Sequence, residues 1–191
     1  MTGIRAITAE AGITIAELAE VLHGTTLVTN ALIERRGAAT GLLTTRGFRD
    51  ILELGIEQRY DIYDLFLKFP DPIVPRRHRI EITERVTHDG HVISDLDVAE
   101  VRAAGARLVA EGCDAIAICF LHAYANPAHE QAAAAILREA FPDISISLSS
   151  EVAPEIREYE RSVTTCANAF VQPLMDRYLG RLLSEMEGLG F

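Results

Sequence analysis

The chain has 191 residues, of which 49% are hydrophobic, and a formal net charge of −10 at pH 7. This length suits one domain with a buried core, and the negative charge argues against nucleic-acid binding because no basic stripe would neutralise phosphates. The longest uninterrupted apolar run, residues 115–121, is far shorter than the roughly 20 residues that span a bilayer, and the N-terminus lacks a signal-peptide profile.

The first half of the chain alternates between helix and strand patterns. Residues 4–11 predict an amphipathic helix, and Thr14 with Glu17 has the spacing of a capping box for a second one. The patterns that follow predict, in order, a strand at 20–26, a helix at 28–36, a strand at 38–45 and a helix at 47–55. This alternation favours a parallel sheet.

An irregular excursion with a hairpin interrupts this alternation at residues 58–94. We predict that residues 58–77 are ordered, because their aromatic side chains would contribute no packing in solvent: Tyr60, Tyr63, Phe66 and Phe69. The alternating residues 79–86 predict a strand, and a turn at 88–91 returns the chain as the second strand of a hairpin.

The second half resumes the α/β alternation and ends in a helix. The predicted elements are a helix capped by Asp95 or Asp97 and reaching Glu111, a buried strand at 114–122, a helix from Pro127 to about 141, and a strand at 145–152. From Glu155, apolar residues recur every three or four positions and predict a long amphipathic helix, which Pro173 must kink or divide.

These elements predict a single domain over residues 1–187, with a frayed tail at 188–191. The expected fold is α/β, a mixed, largely parallel sheet flanked by helices, with a β-hairpin excursion. The three cysteines, Cys113, Cys119 and Cys166, have no metal-like spacing, so we expect buried free thiols in a reducing cytoplasm.

The end of the predicted strand at 20–26 and the turn that follows it concentrate polar residues: His23, Gly24, Thr25, Thr26, Thr29 and Asn30. In α/β proteins, ligands bind outside the carboxyl ends of strands, where a glycine permits close backbone approach and a helix N-terminus offers N–H groups to an anion. His23 could donate to a substrate carbonyl or phosphoryl oxygen, or act as an acid or base. The alternatives are turn and N-cap roles for the threonines, and a histidine that bonds its own loop.

Two other strand ends carry similar residues. Arg46 and Gly47 follow the strand at 38–45 and form a loop that suits an anion. His122 ends the strand at 114–122 and either points into the same crevice or bonds the following turn. Since loops after neighbouring parallel strands lie side by side, we expect His23, Thr25 and Thr26 to face the same cleft as Arg46.

A second candidate site lies between residues 149 and 168. Glu151 closes the last predicted strand, and Arg157 and Arg161, four residues apart, share a helix face with Thr165 and Asn168. Such a face could bind an oxyanion or a carboxylate, and the alternative is a solvated face with ion pairs. His23 and His122 lack a positioned carboxylate, so we expect no metal held by protein ligands alone.

Four blocks of sequence, at residues 23–37, 44–50, 120–127 and 149–161, carry a resemblance. Their His-Gly-Thr-Thr, Thr-Thr-Arg-Gly-Phe-Arg-Asp, Phe-Leu-His-Ala-Tyr-Ala-Asn-Pro and Ser-Ser-Glu-Val-Ala-Pro-Glu segments resemble the N-terminal part of the hydantoinase A / 5-oxoprolinase family. That family includes ATP-dependent 5-oxoprolinases, N-methylhydantoinases and related acetone carboxylase subunits.

The resemblance implies one lobe of an actin-like ATPase fold, as in sugar kinases, Hsp70 and actin. It implies an enzyme that uses ATP and Mg²⁺ to activate a cyclic amide or imide by phosphorylation, the substrate being 5-oxoproline, a hydantoin or N-methylhydantoin. It also implies catalytic roles for His23, Thr25 and Thr26, and a hydantoinase B-type subunit or domain as a partner.

One difference from the family bears on activity. Family members begin with a glycine-rich hairpin, Asp-x-Gly-Gly-Thr-Phe-Thr-Asp, and continue into a long C-terminal half, and neither matches a segment here. We therefore expect an internal piece of a larger enzyme that binds and hydrolyses no ATP alone and self-associates through exposed apolar surface. The alternatives are a non-catalytic substrate-binding or assembly lobe, and a carboxylase subunit whose substrate is a ketone enol.

Overall fold

The computed structural model describes residues 2–56, 61 and 63–191. The helices are α1 (Thr2–Ala11), α2 (Leu27–Ile33), α3 (Ile51–Leu54), α4 (Val98–Ala110), α5 (Ala128–Ala140), α6 (Ser149–Val152) and α7 (Glu158–Glu187). The strands are β1 (Thr40–Thr45), β2 (Arg79–Ile82), β3 (Arg85–Val86), β4 (Val92–Ser94), β5 (Ala115–Cys119) and β6 (Ser145–Leu148).

The central sheet is parallel and has the strand order β2-β1-β5-β6. The antiparallel pair β3-β4 forms a separate sheet, so the parallel and antiparallel strands do not mix in one sheet. The single strand expected at 79–86 is divided, because its first half pairs with β1 and its second half with β4. The turn predicted at 88–91 is confirmed, with Gly90 at φ +87.

Helices cover both faces of this sheet. Alternate residues of each strand point to opposite faces, so Leu43 and Ile118 pack in the cluster that contains residues of α4 and α5, while Leu42 and Ala117 pack against α7. Every residue of β5 is buried. Burial on both faces explains why this strand is a continuous apolar run and why it could be predicted from sequence.

Two of the predicted helix caps are present in the structure. Asp97, and not Asp95, caps α4, since its side chain accepts a hydrogen bond of 2.9 Å from the backbone N–H of Glu100. The capping box of Thr14 and Glu17 is present, but it encloses a single 3-10 turn, Ile15–Glu17. Helix α7 continues from Glu158 to Glu187 through Pro173, so the proline does not divide it.

Three predictions about local structure are wrong. Residues 20–26 form no strand, and Leu22 is 87% exposed, since no described strand lies beside this segment to pair with it. The strand expected at 145–152 ends at Leu148, where α6 begins. Tyr63 and Phe66 are 87% and 88% exposed and so do not pack as the excursion prediction required, while Tyr60 lies outside the described residues.

Candidate functional site

The connections of the central sheet diverge between β1 and β5. Strand β1 leads through α3 to β2 on one side, and β5 leads through α5 to β6 on the other. Leu52 of α3 packs on the face covered by α7, whereas Leu137 of α5 packs on the opposite face. This is a topological switch point, and in open α/β sheets ligands bind in the crevice that it leaves at the carboxyl ends of the strands.

A cavity of about 10 Å³ lies in this crevice. We call it the switch-point cavity; its lining residues are Thr44, Phe48, Ile51, Cys119, Leu121, Glu158, Arg161 and Ser162. They come from the carboxyl ends of β1 and β5, the segment containing α3, and the first turns of α7. Residues far apart in the sequence therefore meet at the predicted position for a ligand site.

Arg161 is the buried cation of this site, with 1% of its surface exposed. Its guanidinium donates hydrogen bonds of 2.7 Å to the Phe120 carbonyl and 2.8 Å to the Glu155 carbonyl, and its Cζ lies 5.7 Å from the centre of the Tyr124 ring. Its Nε has no hydrogen-bond partner among the described residues. One of its donor groups thus holds the end of β5, a second holds the segment before α7, and the third is uncommitted.

Glu130 ties together the carboxyl ends of β5 and β6. It is fully buried and accepts hydrogen bonds from the Phe120 N–H (2.9 Å), the Ser149 hydroxyl (2.5 Å) and the Ser150 N–H (2.9 Å). Burial raises the pKa of the Glu130 carboxyl, and these hydrogen bonds oppose the rise. Glu130 lies at the start of α5 and fixes the two strand ends relative to that helix.

A second buried network joins β1 to the hairpin and to α5. The Thr45 hydroxyl and His129 Nδ1 both bond the carboxylate of Glu84, the imidazole at 2.8 Å, and the Leu121 N–H donates to the Thr45 oxygen at 2.8 Å. Glu84 is 3% exposed. The network holds the turn after β5 against the end of β1.

Sequence reasoning missed Glu84, His129 and Glu130. One signal was present for Glu130, because it falls on the apolar stripe of α5 together with Ala133, Ala134 and Leu137. A carboxylate on a buried helix stripe requires a partner. The partners of Glu84 are 39 and 45 residues away in sequence, so no local sequence pattern predicts them.

His122 lies at the carboxyl end of β5, as predicted, in a left-handed conformation with φ +58. Its Nδ1 is 3.4 Å from the Tyr124 hydroxyl, so the alternative of a bond into the following turn is also present. Burial, together with Arg161, Arg85 and His88, lowers the pKa of His122. The shift favours the neutral imidazole, and the positive φ is a conformation that surrounding contacts must maintain.

The anion loop predicted at Arg46 and Gly47 is occupied by carboxylates. Arg46 forms an ion pair with Glu100, and the Gly47 N–H donates a hydrogen bond of 2.7 Å to Glu81. Gly47 does have the positive φ, +94, that such a loop needs. Its donors nevertheless serve the protein's own acidic side chains.

The loop from His23 to Asn30 lies at the other end of the sheet, so its placement beside Arg46 is wrong. The Ala38 N–H bonds the Phe170 carbonyl near the amino end of β1, and His23 Nε2 lies 2.6 Å from the hydroxyl of Tyr178, further along α7. Tyr178 is about 25 Å from Arg161 along the helix, at 1.5 Å per residue. The adjacent-loop argument fails because no strand precedes His23.

Within that loop the polar residues mainly bond one another. Thr25 Oγ1 accepts from the Leu27 N–H at 3.1 Å, and Thr26 Oγ1 lies 3.4 Å from the Asn30 amide, as in the turn and cap alternatives. Gly24 and Thr29 are exposed. The catalytic role inferred for this loop from the resemblance remains a prediction.

The helix face predicted at the start of α7 is not a single surface. Arg157 precedes the helix, is exposed and pairs with Glu160 at 3.6 Å, whereas Thr165 is buried and its hydroxyl bonds the Arg161 carbonyl at 2.7 Å. Asn168 donates a 3.0 Å hydrogen bond to Ser147 of β6. The remaining candidate, Glu151, is exposed in α6. Of the predicted set, Arg161 alone lines the switch-point cavity.

Two further properties concern the described part of the chain. Within residues 2–56, 61 and 63–191, no group of three or more His, Cys, Asp or Glu side chains is placed to hold a metal ion. No helix of that part combines the length and the apolar character needed to cross a membrane. The three cysteines are free and buried, as predicted.

Comparisons with known proteins place this fold in a family. The model of the hydantoinase/oxoprolinase N-terminal region matches residues 1–141. The caprolactamase subunit alpha of Pseudomonas jessenii is 39% identical over 92% of this chain and 26% of its own length. The 5-oxoprolinase of Saccharomyces cerevisiae is 33% identical over 88% of this chain and 15% of its own length.

The acetophenone carboxylase gamma subunit of Aromatoleum aromaticum is 28% identical over 90% of this chain and 25% of its own length. Among solved structures, the ATP-dependent caprolactamase of P. jessenii superposes with a TM-score of 0.89 at 38% identity, over 99% of this chain and 28% of that one. The chain thus spans about a quarter or less of these relatives. It belongs to the hydantoinase/oxoprolinase N-terminal region family.

Proposed function

We propose that this chain is the N-terminal region of an ATP-dependent enzyme that opens a cyclic amide or imide. The observation that carries the proposal is the likeness to ATP-dependent caprolactamase, which extends over 99% of the chain at 38% identity. The substrate class follows from the relatives: a lactam such as 5-oxoproline or caprolactam, or a hydantoin or N-methylhydantoin. Phosphorylation of the amide oxygen would make the ring carbon electrophilic toward water.

Neither the Arg46–Gly47 loop nor the switch-point cavity fits the phosphates of ATP. Arg46 forms an ion pair with Glu100, and the Gly47 N–H donates a hydrogen bond to Glu81. Neither donor of the predicted anion loop is therefore available to a phosphate. The switch-point cavity, at about 10 Å³, has room for one water molecule and not for a phosphate. We therefore expect the ATP and Mg²⁺ sites to lie in other parts of the full-length enzyme, and the isolated chain to hydrolyse no ATP.

Partner surfaces are part of the same proposal. The caprolactamase and acetophenone carboxylase relatives are named as subunits, which supports a hydantoinase B-type subunit or domain as the partner. Tyr63, Leu65 and Phe66 are each at least 87% exposed, an arrangement typical of a surface that another chain or domain covers. The chain alone should self-associate through such surfaces, and its free thiols suit the cytoplasm.

The acetophenone carboxylase relative supports a second candidate, a carboxylase subunit that acts on a ketone. A third, a non-catalytic substrate-binding or assembly lobe, would share the fold without the chemistry. The first candidate is favoured, because its two relatives are more similar, at 39% and 33% identity against 28%.

The test uses the full-length protein with its partner subunit. ADP release should depend on adding 5-oxoproline, hydantoin, N-methylhydantoin or caprolactam and should match the ring-opened product mole for mole. ADP release that instead depends on a ketone and bicarbonate would establish the carboxylase. No coupled release with either set of compounds would leave the non-catalytic lobe.

A further inference from the structure

Polar residues line the switch-point cavity, and one of them has a buried donor without a partner among the described residues. Arg161 Nε is that donor, and Glu158 and Thr44 line the same cavity. A buried donor left unsatisfied costs roughly 1–3 kcal/mol, so such groups in native proteins nearly always have a partner, often water. The unpaired Arg161 donor, with Glu158 and Thr44 on the same cavity, points to a bound water.

The size of the cavity limits that partner to one small molecule. A volume of about 10 Å³ is close to the minimum that holds one water, which also needs two to four polar contacts. Arg161 can only donate, so its Nε–H would bond the water oxygen. Glu158 can only accept when ionised, so a water proton would point at its carboxylate. The cavity therefore fixes the direction of the water as well as its place.

The surroundings of the cavity suit a reaction more than simple filling. It lies at the carboxyl ends of β1 and β5, where ligands bind in this class of sheet. Phe48, Ile51 and Leu121 contribute apolar surface beside the polar residues of its lining. Glu158 is half-buried, so its carboxylate can reach both the cavity and a ligand in the crevice.

We propose that the switch-point cavity holds the water that opens the ring, and that Glu158 is the base that removes its proton. This step rests on the proposed function. The water oxygen forms a bond to the ring carbon of the O-phosphorylated amide while Glu158 takes the proton. The ring C–N bond then breaks, the proton is delivered to the leaving nitrogen, and the product is an acyl phosphate, with Glu158 regenerated. A second water hydrolyses the acyl phosphate to the carboxylate and inorganic phosphate, so each ring opening consumes one ATP and two waters and releases ADP and phosphate.

A structural alternative exists for each residue. Glu158 lies in the first turn of α7, where any carboxylate stabilises the helix dipole, and a water on Arg161 could be an ordinary buried water. Glu160 offers the matched control, because it shares that first turn but pairs with Arg157 and does not line the cavity. A role confined to the helix dipole would affect both residues alike.

The experiment compares Glu158→Gln, Glu158→Asp and Glu160→Gln in the full-length enzyme. For Glu158→Gln we expect kcat for ring opening to fall by about 10²–10⁴-fold, the usual scale for a positioned base, with little change in KM for the lactam or ATP. Glu158→Asp should recover part of the rate, and Glu160→Gln should stay within about threefold of wild type. The fall of kcat/KM at acidic pH, which reports protonation of the base, should disappear in Glu158→Gln.

The outcomes separate the two proposals. If wild-type enzyme opens no cyclic amide, the proposed function fails. If wild type is active but Glu158→Gln keeps its rate, or loses rate while retaining the acid limb, the base assignment alone is overturned. As a second measurement, a high-resolution crystal structure of the full-length protein should place an ordered water within hydrogen-bond distance of Arg161 Nε and Glu158. A cavity without that water contradicts the inference.

Discussion

The two ends of the sheet differ in how their polar residues are held. At the carboxyl edge, the residues that follow β1, β2, β5 and β6, buried carboxylates such as Glu84 and Glu130 each accept hydrogen bonds from more than one element. The N-terminal arm, residues 2–37, contacts the rest of the domain mainly through α2 and α7 and through the bond from His23 to Tyr178. Blocks of the resemblance occur in both regions, but buried carboxylates bonded to several elements hold only the carboxyl edge among the described residues.

This difference shows that a sequence motif does not by itself establish a ligand site. The site needs its own support from the structure. The His23 loop has the residue types of a ligand loop, yet its side chains are exposed and bond mostly within the arm. The switch-point cavity draws its lining from three separate blocks of the resemblance, and the fold brings together there a buried cation, a carboxylate and a hydroxyl. Catalytic groups need a preorganised setting, which the carboxyl edge provides.

The largest effect should come from Glu130→Ala. It leaves three buried donors without an acceptor, so we expect the free energy of unfolding to fall by about 4 kcal/mol. Urea denaturation checks this, with Glu139→Ala as the control: Glu139 lies on the same helix but is exposed and pairs with Arg102 at 3.4 Å. A loss below about 1 kcal/mol, the scale of an ordinary single hydrogen bond, would mean that the carboxyl edge is not held by this network.

Glu130 should also make stability depend on pH. Its pKa is raised in the folded state, so the folded protein binds this proton more tightly than the unfolded chain. The contribution of Glu130 to the free energy of unfolding is fully present below the ordinary pKa of a glutamate. It is lost as the pH rises through the pKa of Glu130 in the folded protein. Glu130→Gln should remove that part of the pH dependence, and identical pH profiles in the two proteins would contradict the shift.

His23→Ala tests whether the arm contributes to chemistry. In the full-length enzyme we expect turnover to fall about a hundredfold, or about 2.7 kcal/mol in the activation barrier, as for a positioned acid, base or oxyanion donor. The free energy of unfolding should change by less than about 0.5 kcal/mol, because the side chain is exposed. Tyr178→Phe is the control, since it removes the bonding partner of His23 and keeps the imidazole. Equal losses in both variants would assign His23 to docking of the arm.

Gly37→Ala should loosen the arm without touching the carboxyl edge. A Cβ at Gly37 would lie 2.5 Å from the backbone oxygen of Phe170, which cannot move without displacing α7. We expect a loss of about 2 kcal/mol by urea denaturation, typical of overpacking. Gly24→Ala is the matched control, because no atom lies within 4 Å of its Cβ position. Equal effects of the two substitutions would show that the close contact at Gly37 is not what holds the arm.

Much of the fold could be predicted because its signals are local. The apolar run of β5, the Asp97 cap of α4 and the turn at 88–91 all depend on neighbouring residues. The strand expected at 20–26 failed because Val21 and Leu22 have a strand-like composition, but a strand exists only where another pairs with it. The presence of a neighbouring strand is a property of the tertiary structure and cannot be seen in the sequence of the segment itself.

The site was predictable only in part, for the same reason. Arg161 and His122 could be placed at the carboxyl edge from their blocks of sequence, since each follows or ends a predicted strand. The acceptors that orient this edge, Glu84 and Glu130, bond groups 10 to 45 residues away. Hydrogen bonds between residues so far apart in sequence depend on the topology of the fold. The order of the predicted elements reduces the number of possible topologies but does not select one of them.

The smallest expected effect is on the labelling rates of the three thiols. These rates show whether the two ends of the sheet unfold independently. Burial raises the pKa of the Cys113 thiol to about 11 and also raises the pKa values of Cys119 and Cys166. Since the thiolate is the nucleophile, none should react appreciably with a thiol reagent at pH 8 in the folded chain, and all three should react in urea.

Cys166 sharpens the comparison because it lies between α7 and the sheet, four residues from the Phe170 that contacts Gly37. If the arm detaches as a separate unit, Gly37→Ala should leave the labelling rate of Cys166 within about twofold of wild type after correction for global stability. That expectation follows from local unfolding, in which poorly packed segments open without the core. Cys119, bonded to Ser162 at 3.0 Å beside the switch-point cavity, serves as the internal reference. Faster labelling of Cys166, with the labelling rate of Cys119 unchanged, would mean that the arm stabilises the α7 interface. The contrast between a firmly held carboxyl edge and a loosely held arm would then be wrong.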